Sequence, residues 1–250
     1  GVDRCRKGLE GERDMTEENV RICFLHHSGF AVEFQDCVLL LDVWKDPAGE
    51  VRRIAEETDK PLYFFVSHHH GDHFNAGIWD YHNRAEAYIM HKDCRAAGCF
   101  EEKTHLMEPG SSMQIGPLSV DMGGSTDEGG SFWIRHHDTT VFHAGDLNWW
   151  HWPGEPSADL AEARRLYQKE LAAVAGRTAD IAFFPVDARQ ETAREWGVME
   201  FLRTVEVTKL LVPMHAFGAP WNPSYYFRCR FYDIPLWIPL KDGEQIIQEI

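Results

Sequence analysis

The chain has 250 residues, of which 44% are hydrophobic, so it can bury the core of one large domain. Its 40 acidic residues against 25 basic ones give a formal net charge of −15, which repels the phosphate backbone of nucleic acids. No apolar stretch in the sequence approaches the roughly 20 residues that a membrane-spanning helix needs. Composition therefore disfavours both a nucleic-acid partner and a membrane-embedded protein.

The ends of the chain and its cysteines predict its organisation and location. Residues 1–19 are polar and charged, and we expect a flexible N-terminal tail there, with Met15 as an alternative native start. Residues 20–250 are expected to form a single domain. The first residues lack the charged-then-apolar layout of a signal peptide. Six cysteines without a C-x-x-C pair favour thiols in a reducing compartment over a disulfide framework, which predicts a cytoplasmic protein.

The first part of the chain predicts consecutive strands and one short helix. β-Branched and aromatic residues form short runs that are broken by glycine and by polar residues, as is typical of antiparallel strands. The expected strands are residues 22–25, 30–34, 37–41 and 61–66, and the expected helix covers residues 49–58. The third strand ends at Asp42, and the fourth leads directly into a run of histidines.

After a mixed segment, the second part of the chain predicts strands alternating with helices. Further strands are expected at residues 115–120, 131–135, 140–143, 181–186 and 210–213. One amphipathic helix is expected to begin with Ser157 as its N-cap and to end at Gly176, and a second is expected at residues 192–205. Strands come first, then mixed elements, then strands again, so the pattern predicts a layered α/β fold.

The run that follows the strand at residues 61–66 is dense in metal-binding side chains. Four of the six residues at positions 68–73 are good ligands, namely His68, His70, Asp72 and His73. In an extended backbone alternate side chains share one face, so His68 and His70 can reach the same ion, whereas His69 points the other way. The bend at Gly71 can turn the last two ligands toward a second ion. Imidazole and carboxylate together suit zinc, iron or manganese, bound as one or two ions.

This run resembles the H-x-H-x-D-H signature of the metallo-β-lactamase superfamily. The resemblance implies a four-layered αββα sandwich and further ligands at distant strand ends. It implies that Asp146, which follows Gly145, bridges two metals and that His215 is the final histidine ligand. It also implies that Asp42 orients the metal-binding loop by hydrogen bonds without being a ligand. The segment that begins at His27 is similar to the opening of the subgroup that contains L-ascorbate-6-phosphate lactonase.

The sequence departs from the superfamily pattern at one ligand position. Ser125 stands where a third histidine of the first metal is expected, and a serine hydroxyl is a poor zinc ligand. Asp127 can substitute for that histidine, and it requires the smallest geometric change. His151, in the following loop, can also supply the ligand. The third alternative is a mononuclear protein, whose ion is held by Asp72, His73, Asp146 and His215.

The loop after Asp146 is rich in tryptophan. Its three indoles, Trp149, Trp150 and Trp152, can wall a substrate pocket, which His27 can join, or can pack into the core. Arg189 is one of few cations near the motifs, and it is interpreted as a surface or ion-pair residue in preference to a substrate clamp.

These features predict a metal-dependent hydrolase with a small-molecule substrate. A zinc-activated water would attack an ester, lactone or phosphoester bond, with Asp72 or Asp146 accepting a proton. Two alternatives stay open at this stage. One is a nuclease or phosphodiesterase of the same fold, and the other is a degenerate metal-binding protein with little catalysis, which Ser125 motivates.

Overall fold

The computed structural model describes residue 16 and residues 18–94 and 100–250. Most of the predicted tail at residues 1–19, including Met15, lies outside these residues, as do Cys5 and Cys99. The tail and its boundary with a single domain at residues 20–250 therefore stay predictions. Among the described residues, the first element of regular structure is a strand that begins at Asn19.

The described residues form two β-sheets. The first sheet contains β1 (Asn19–His26), β2 (Gly29–Glu33), β3 (Val38–Leu41), β4 (Leu62–Val66), β5 (Ala85–His91), β6 (Thr104–Met107) and β13 (Gln245–Glu249). The second contains β7 (Ser112–Ile115), β8 (Leu118–Gly123), β9 (Ser131–His136), β10 (Thr139–His143), β11 (Thr178–Pro185) and β12 (Glu206–Met214). Their spatial orders are β13-β1-β2-β3-β4-β5-β6 and β12-β11-β10-β9-β8-β7.

Aromatic side chains fill the space between the two sheets. Phe30 on β2 meets Phe183 on β11, with ring centroids 4.4 Å apart. Phe65 on β4 meets Phe132 on β9 in an edge-to-face contact at 5.3 Å. All four rings are essentially fully buried. These contacts hold the sheets face to face, as alternating inward side chains do in a sandwich.

Helices cover the two outer faces. The described α-helices are α1 (Glu50–Glu57), α2 (Ser157–Val174), α3 (Trp196–Thr204) and α4 (Tyr225–Arg230). Helix α1 buries Val51 and Ile54 in a cluster on the outer face of the first sheet. On the second sheet, Phe201 of α3 packs against Phe142 and Phe184 at 5.1 and 4.7 Å. The expected four-layered αββα sandwich is therefore confirmed.

The direction of the strands decides where the functional loops lie. Strands β3, β4 and β5 run parallel in the first sheet, and β10, β11 and β12 run parallel in the second. The carboxyl ends of parallel strands meet at one edge of a sheet, which is where ligands bind in open α/β sheets. The loops that follow β3, β4, β10, β11 and β12 therefore share one rim of the sandwich.

Several strands differ from the sequence prediction. The single strand expected at residues 115–120 is a hairpin of β7 and β8, because Gly116 has a left-handed backbone (φ 53°) and Pro117 follows it. Strands β5 and β6 lie in the segment that was interpreted as mixed. Strand β5 mixes alanine and glutamate with its apolar residues, so its sequence lacks the β-branched signature of the other strands.

The helix boundaries also differ in two places. Helix α2 begins at Ser157 itself, and its N-cap is Pro156, without a side-chain cap hydrogen bond. The predicted helix at residues 192–205 is divided into a 3₁₀ segment at Ala188–Ala193 and the α-helix α3. Glu191 interrupts the 3₁₀ segment with a φ of 55°.

Two predictions concern the thiols and the membrane. Cys23, Cys37 and Cys94 are buried free thiols and Cys229 is an exposed one, which agrees with the absence of a disulfide framework among the described cysteines. Burial raises the pKa of Cys23 and of Cys94 to about 12, so these thiols stay protonated. Within the described ranges, no helix combines the length and the apolar character needed to cross a bilayer.

Candidate metal centre

Three loops meet around the carboxylate of Asp146. Its Oδ1 atom lies 2.9 Å from Nε2 of His73 and 3.2 Å from Nε2 of His215. Its Oδ2 atom lies 3.1 Å from Nε2 of His68. All four side chains are almost completely buried. One oxygen of Asp146 thus faces His215 and the last histidine of the run, and the other faces the first histidine, so the two oxygens face different candidate ligands.

One group of candidate ligands surrounds Asp72. Its Oδ2 atom lies 3.5 Å from Nε2 of both His73 and His215, and 3.0 Å from Nε2 of His27. One ligand atom from each of these four residues lies within 4.8 Å of all the others. This set of three imidazoles and one carboxylate suits a transition-metal ion.

A second group of candidate ligands contains Asp127. Ligand atoms of His70, Asp127 and Asp146 lie within 4.8 Å of one another, and so do those of His68, His70 and Asp72. Asp127 Oδ2 is 3.8 Å from Nδ1 of His70. Burial and the nearby Asp146 raise the pKa of Asp127. A carboxylate therefore lies beside the first two histidines of the run.

Ser125 and His151 have other surroundings. Ser125 Oγ accepts a hydrogen bond from the backbone N–H of Asp127 at 3.3 Å, so this serine helps to shape the loop that carries Asp127. The ring of His151 packs on Trp196 at 4.6 Å. Among the described residues it belongs to none of the groups of ligand atoms. Of the two candidate substitutes for the expected histidine, the fold brings Asp127 to the ligands and not His151.

The buried polar atoms of the site fit a bound cation. His68 Nε2, His73 Nε2 and Asp146 Oδ1 are all buried, and none has a hydrogen-bond partner among the described residues. Buried polar atoms without a directed hydrogen bond are uncommon in native proteins, and they indicate a further partner. These three atoms are potential metal ligands and they face one another. A metal ion would satisfy all of them at once, so the donor set fits the zinc, iron or manganese that the sequence predicts.

Asp42 forms hydrogen bonds at both ends of the histidine run. This fully buried carboxylate accepts hydrogen bonds from the backbone N–H of Ser67 at 2.8 Å and from its hydroxyl at 2.6 Å, and it pairs with Nδ1 of His73 at 2.7 Å. Burial would raise the pKa of Asp42, but His143 and His73 outweigh burial, and the net pKa is lowered. Asp42 therefore stays ionised and fixes the His73 ring with Nε2 toward Asp146.

Asp187 has the same relation to His215, and the sequence analysis assigned it no role at the site. Its Oδ2 atom lies 3.0 Å from Nδ1 of His215. Burial lowers the pKa of His215, but Asp146 and Asp187 outweigh burial and raise it. The available signal was positional, because Asp187 follows the parallel strand β11 as Asp42 follows β3 and Asp146 follows β10.

His27 takes part more closely than the sequence analysis expected. Besides bonding Asp72, its ring lies 4.3 Å from the ring of His215, and its carbonyl accepts a hydrogen bond from the His215 backbone N–H. His27, Asp42 and His215 all have left-handed backbones, with φ of 59°, 43° and 57°. Such strain in residues other than glycine clusters at functional sites. This strain was invisible in the sequence.

A cavity of about 310 Å³ opens over the metal-ligand groups. Its lining residues are His70, Asp72, Thr126, Asp127, Asp146, Trp150, Trp152, Arg189, His215 and Phe217. Trp150 and Trp152 stack on each other at 5.3 Å, and the Trp150 indole N–H donates to the carbonyl of Asp146 at 2.8 Å. Trp149 instead packs on Trp196 at 5.3 Å and is not a lining residue. Two of the three tryptophans thus wall this cavity, and Trp149 packs away from it, which is the core-packing alternative that the sequence left open.

A second cavity lies on the other side of His27 and Phe217. It measures about 340 Å³ and its lining is mainly apolar, with Trp44, Met214, Trp221 and Ile238 among the residues. His27 therefore lines this neighbouring cavity and reaches the metal-ligand group with its Nε2 atom.

A curated relative matches part of the sequence, and no protein-family model matches it. The relative is a UPF0173 metal-dependent hydrolase of Desulforamulus reducens, 31% identical over 144 residues. The match covers 51% of this chain and 62% of that protein, which is less than two thirds of its length. The resemblance to the L-ascorbate-6-phosphate lactonase subgroup stays a prediction.

Solved structures share the fold over nearly the whole chain. Igni18, a metallo hydrolase of Ignicoccus hospitalis, has a TM-score of 0.63 at 16% identity and covers 93% of this chain and 99% of its own. The metallo-β-lactamase fold protein YhfI of Bacillus subtilis has a TM-score of 0.56 at 13% identity, with coverages of 92% and 99%. CmlA, a diiron β-hydroxylase of Streptomyces venezuelae, has a TM-score of 0.56 at 12% identity, with coverages of 94% and 55%. The chain therefore has the metallo-β-lactamase fold, and about half of its sequence is similar to a metal-dependent hydrolase.

Proposed function

We propose that the chain is a metal-dependent hydrolase whose substrate is a small molecule with an ester, lactone or phosphoester bond. The observation that carries this proposal is the position of Asp146 between two groups of ligand atoms. The names of the relative from D. reducens and of Igni18 support the same class of reaction. Bound ions would lower the pKa of a water molecule and polarise the carbonyl or phosphoryl group under attack.

Asp72 is the better placed of the two proposed proton acceptors. Its side chain is 23% exposed and lines the cavity, whereas that of Asp146 is 6% exposed and has imidazoles facing both oxygens. Burial would raise the pKa of Asp72, but the hydrogen bond from His27 and the nearby His73 lower it, so the carboxylate is ionised at neutral pH. Asp146 thus holds the site together, and Asp72 exchanges the proton with the substrate or solvent.

The donor set supports three candidate metals. Zinc is the first proposal, with iron and manganese as alternatives. Asp127 makes the group around His70 richer in oxygen than three histidines would, which suits iron or manganese better. CmlA, which shares the fold, is a diiron protein, and this supports testing iron beside zinc.

The structure gives the two alternative functions less support than the hydrolase. A nuclease needs cations along its substrate groove, yet among the described residues that line the metal cavity Arg189 is the single lysine or arginine, and the net charge is −15. The degenerate reading rests on Ser125, and Asp127 supplies a carboxylate beside the same histidines.

Metal analysis combined with a substrate panel tests this function. The metal-free chain would be loaded separately with zinc, iron(II) and manganese, and the ions per chain measured by plasma mass spectrometry. Turnover would then be assayed with 4-nitrophenyl acetate, γ-butyrolactone and bis(4-nitrophenyl) phosphate. The hydrolase proposal predicts firmly held ions and turnover that Asp146→Ala abolishes. Retained ions without turnover on any substrate would favour the degenerate protein, and turnover of the phosphodiester alone would favour the phosphodiesterase.

A further inference from the structure

Arg189 lines the metal cavity and is held by several contacts. Arg189 is the one lysine or arginine among the described lining residues, and it lies on the wall that also contains Trp152 and Phe217. The three carboxylates that line the cavity, Asp72, Asp127 and Asp146, all belong to the ligand groups. Among the described lining residues, Arg189 is thus the one lysine or arginine that faces a substrate in the cavity.

Contacts on three sides hold the guanidinium in place. Its Nε atom donates to Oδ1 of Asp187 at 3.1 Å, and its Nη2 atom donates to Oδ2 of Asp187 at 2.8 Å. Its central carbon lies 3.8 Å from the ring centroid of Phe217 and 5.1 Å from that of Trp152. Nη1 makes no hydrogen bond to a described residue. The Arg189 side chain is 48% exposed. The head group is therefore ordered before a ligand arrives, which reduces the entropy lost on binding.

In a protein of strongly negative net charge, a local cation such as Arg189 can decide where an anionic ligand binds. A chain of net charge −15 repels anions in general, so an anionic ligand needs a local cation. The planar guanidinium matches the paired oxygens of a carboxylate or of a phosphate better than an ammonium group does. Held beside the metal centre, it can bind one end of a small molecule whose other end reaches the ions.

We propose that Arg189 binds an anionic oxygen group of the substrate, a carboxylate or a phosphate, while the bond to be broken lies at the metal centre. The substrate class is then an ester or lactone that carries one such anion. This inference rests on the proposed hydrolase function and narrows its substrate. It changes the interpretation of Arg189, which pairs with Asp187 as expected and also faces the cavity.

A purely structural role makes a different prediction. Asp187 bonds both Arg189 and His215, so Arg189 can also act by holding Asp187 in place. In that case loss of Arg189 would weaken metal binding and would not discriminate between ligands. Metal content and ligand selectivity therefore have to be measured on the same variant.

The test compares two ligands of equal length on the metal-loaded protein. Succinate and butyrate each offer one carboxylate to the ions, and succinate adds a second carboxylate for Arg189. By isothermal titration calorimetry, we expect succinate to bind the unchanged protein about tenfold more tightly than butyrate, the effect of one charge-assisted hydrogen bond. Arg189→Met should remove this preference with its metal content unchanged. 3-Phosphonopropionate is measured in parallel. If Arg189→Met weakens its binding more than that of succinate, Arg189 prefers a phosphate, and the reverse result indicates a carboxylate.

Arg177→Met is the matched control. Arg177 also pairs with a carboxylate, Asp121, at 3.2 Å and lies over an indole, Trp133, at 4.0 Å, but it is not among the lining residues of the metal cavity. It should keep the tenfold preference, which excludes a general effect of net charge. Arg189→Gln serves if the methionine variant does not fold. A preference retained in the Arg189 variants, or one lost together with the metal, would overturn the inference. If the unchanged protein prefers succinate but shows no turnover, the result would contradict the hydrolase proposal and not the role of Arg189 in binding.

Discussion

The Oδ2 atom of Asp187 lies 3.0 Å from Nδ1 of His215 and thereby fixes the direction in which the imidazole faces. With Nδ1 engaged, Nε2 faces Asp146 at 3.2 Å and Asp72 at 3.5 Å. Asp42 and His73 repeat this arrangement in the other sheet. Carboxylates that orient metal-binding imidazoles in this way also raise their basicity.

Removal of Asp187 should weaken metal binding without removing a ligand. We expect Asp187→Ala to lower the affinity for the ion at the Asp72 group by about 10- to 100-fold, measured by competition with a chromophoric chelator. Asp242→Ala is a suitable control, because Asp242 also pairs with a histidine, His26, at 3.0 Å, and neither residue belongs to a ligand group of the described residues. Equal affinities for the two variants would contradict the orienting role of Asp187.

Asp127 should decide whether a second ion is retained. Asp127→Ala is expected to reduce a stoichiometry of two ions per chain to about one, because His70 then loses its neighbouring carboxylate. Plasma mass spectrometry after gel filtration gives the count. The neighbouring Glu128 is exposed and belongs to no ligand group of the described residues, so Glu128→Ala should leave the count unchanged.

Ser125→His tests the position at which the superfamily pattern places a histidine. Introduced into the Asp127→Ala background, it should recover the lost ion if residue 125 faces the first ligand group. The same plasma analysis gives the answer, and an unchanged count would mean that this loop is aligned wrongly with the superfamily pattern.

His27 should contribute to the group around Asp72 more than its neighbour in sequence does. His27→Ala removes the 3.0 Å contact with Asp72 and the ring contact with His215. We therefore expect a lower affinity for the ion and an altered absorption spectrum of the cobalt-loaded protein. His26→Ala is matched in chemistry, since His26 pairs with Asp242 at 3.0 Å instead. Identical cobalt spectra for both variants would exclude His27 from the coordination environment.

Metal binding should release protons at neutral pH. Burial lowers the pKa of His73, but Asp146 and Asp42 outweigh burial and raise it to about 10 in the metal-free protein. A metal ligand must be neutral, so an ion has to displace this proton, and apparent affinity should rise between pH 7 and pH 10. Calorimetry in two buffers of different ionisation enthalpy measures the protons released. No dependence on the buffer would show that His73 is already neutral at pH 7.

The same shift predicts the stability of the metal-free chain. A pKa of His73 raised above its ordinary value of 6.5 stabilises the fold fully below pH 6.5, and this contribution is lost as the pH rises toward 10. The lowered pKa values of Asp42, Asp72 and Asp146 have the opposite sense, and their contribution is lost in acid. We therefore expect the melting temperature of the metal-free protein to fall from pH 7 to pH 10 and to fall again at low pH.

The sequence predicted the parts of the site that are local or that follow a known order. The run at residues 68–73 carries its spacing in the chain, and the positions of Asp146 and His215 came from the resemblance. The pairing of Asp187 with His215 depends on the parallel register of β11 and β12, in which Pro185 lies opposite Met214. No local pattern reveals such a register.

The same reason explains why the sequence left the role of the tryptophans open and did not predict strands β5 and β6. Trp149, Trp150 and Trp152 look alike in sequence, and only the position of Trp196 on α3 draws Trp149 away from the cavity. Strand β6 is four residues long and partly exposed, so it owes its conformation to pairing with β5 more than to its own composition. Tertiary contacts decided both cases.

The ligand atoms at Asp146 come from both halves of the sandwich. His68 and His73 follow β4 in the first sheet, whereas Asp146 and His215 follow β10 and β12 in the second. An ion bound by all four residues would link the two sheets, so a chelator would lower the stability of the fold as well as remove the ion. At a free metal concentration 100 times the dissociation constant, metal binding would add about 2.7 kcal/mol to the free energy of unfolding. A shortage of metal would then shorten the time for which the chain stays folded.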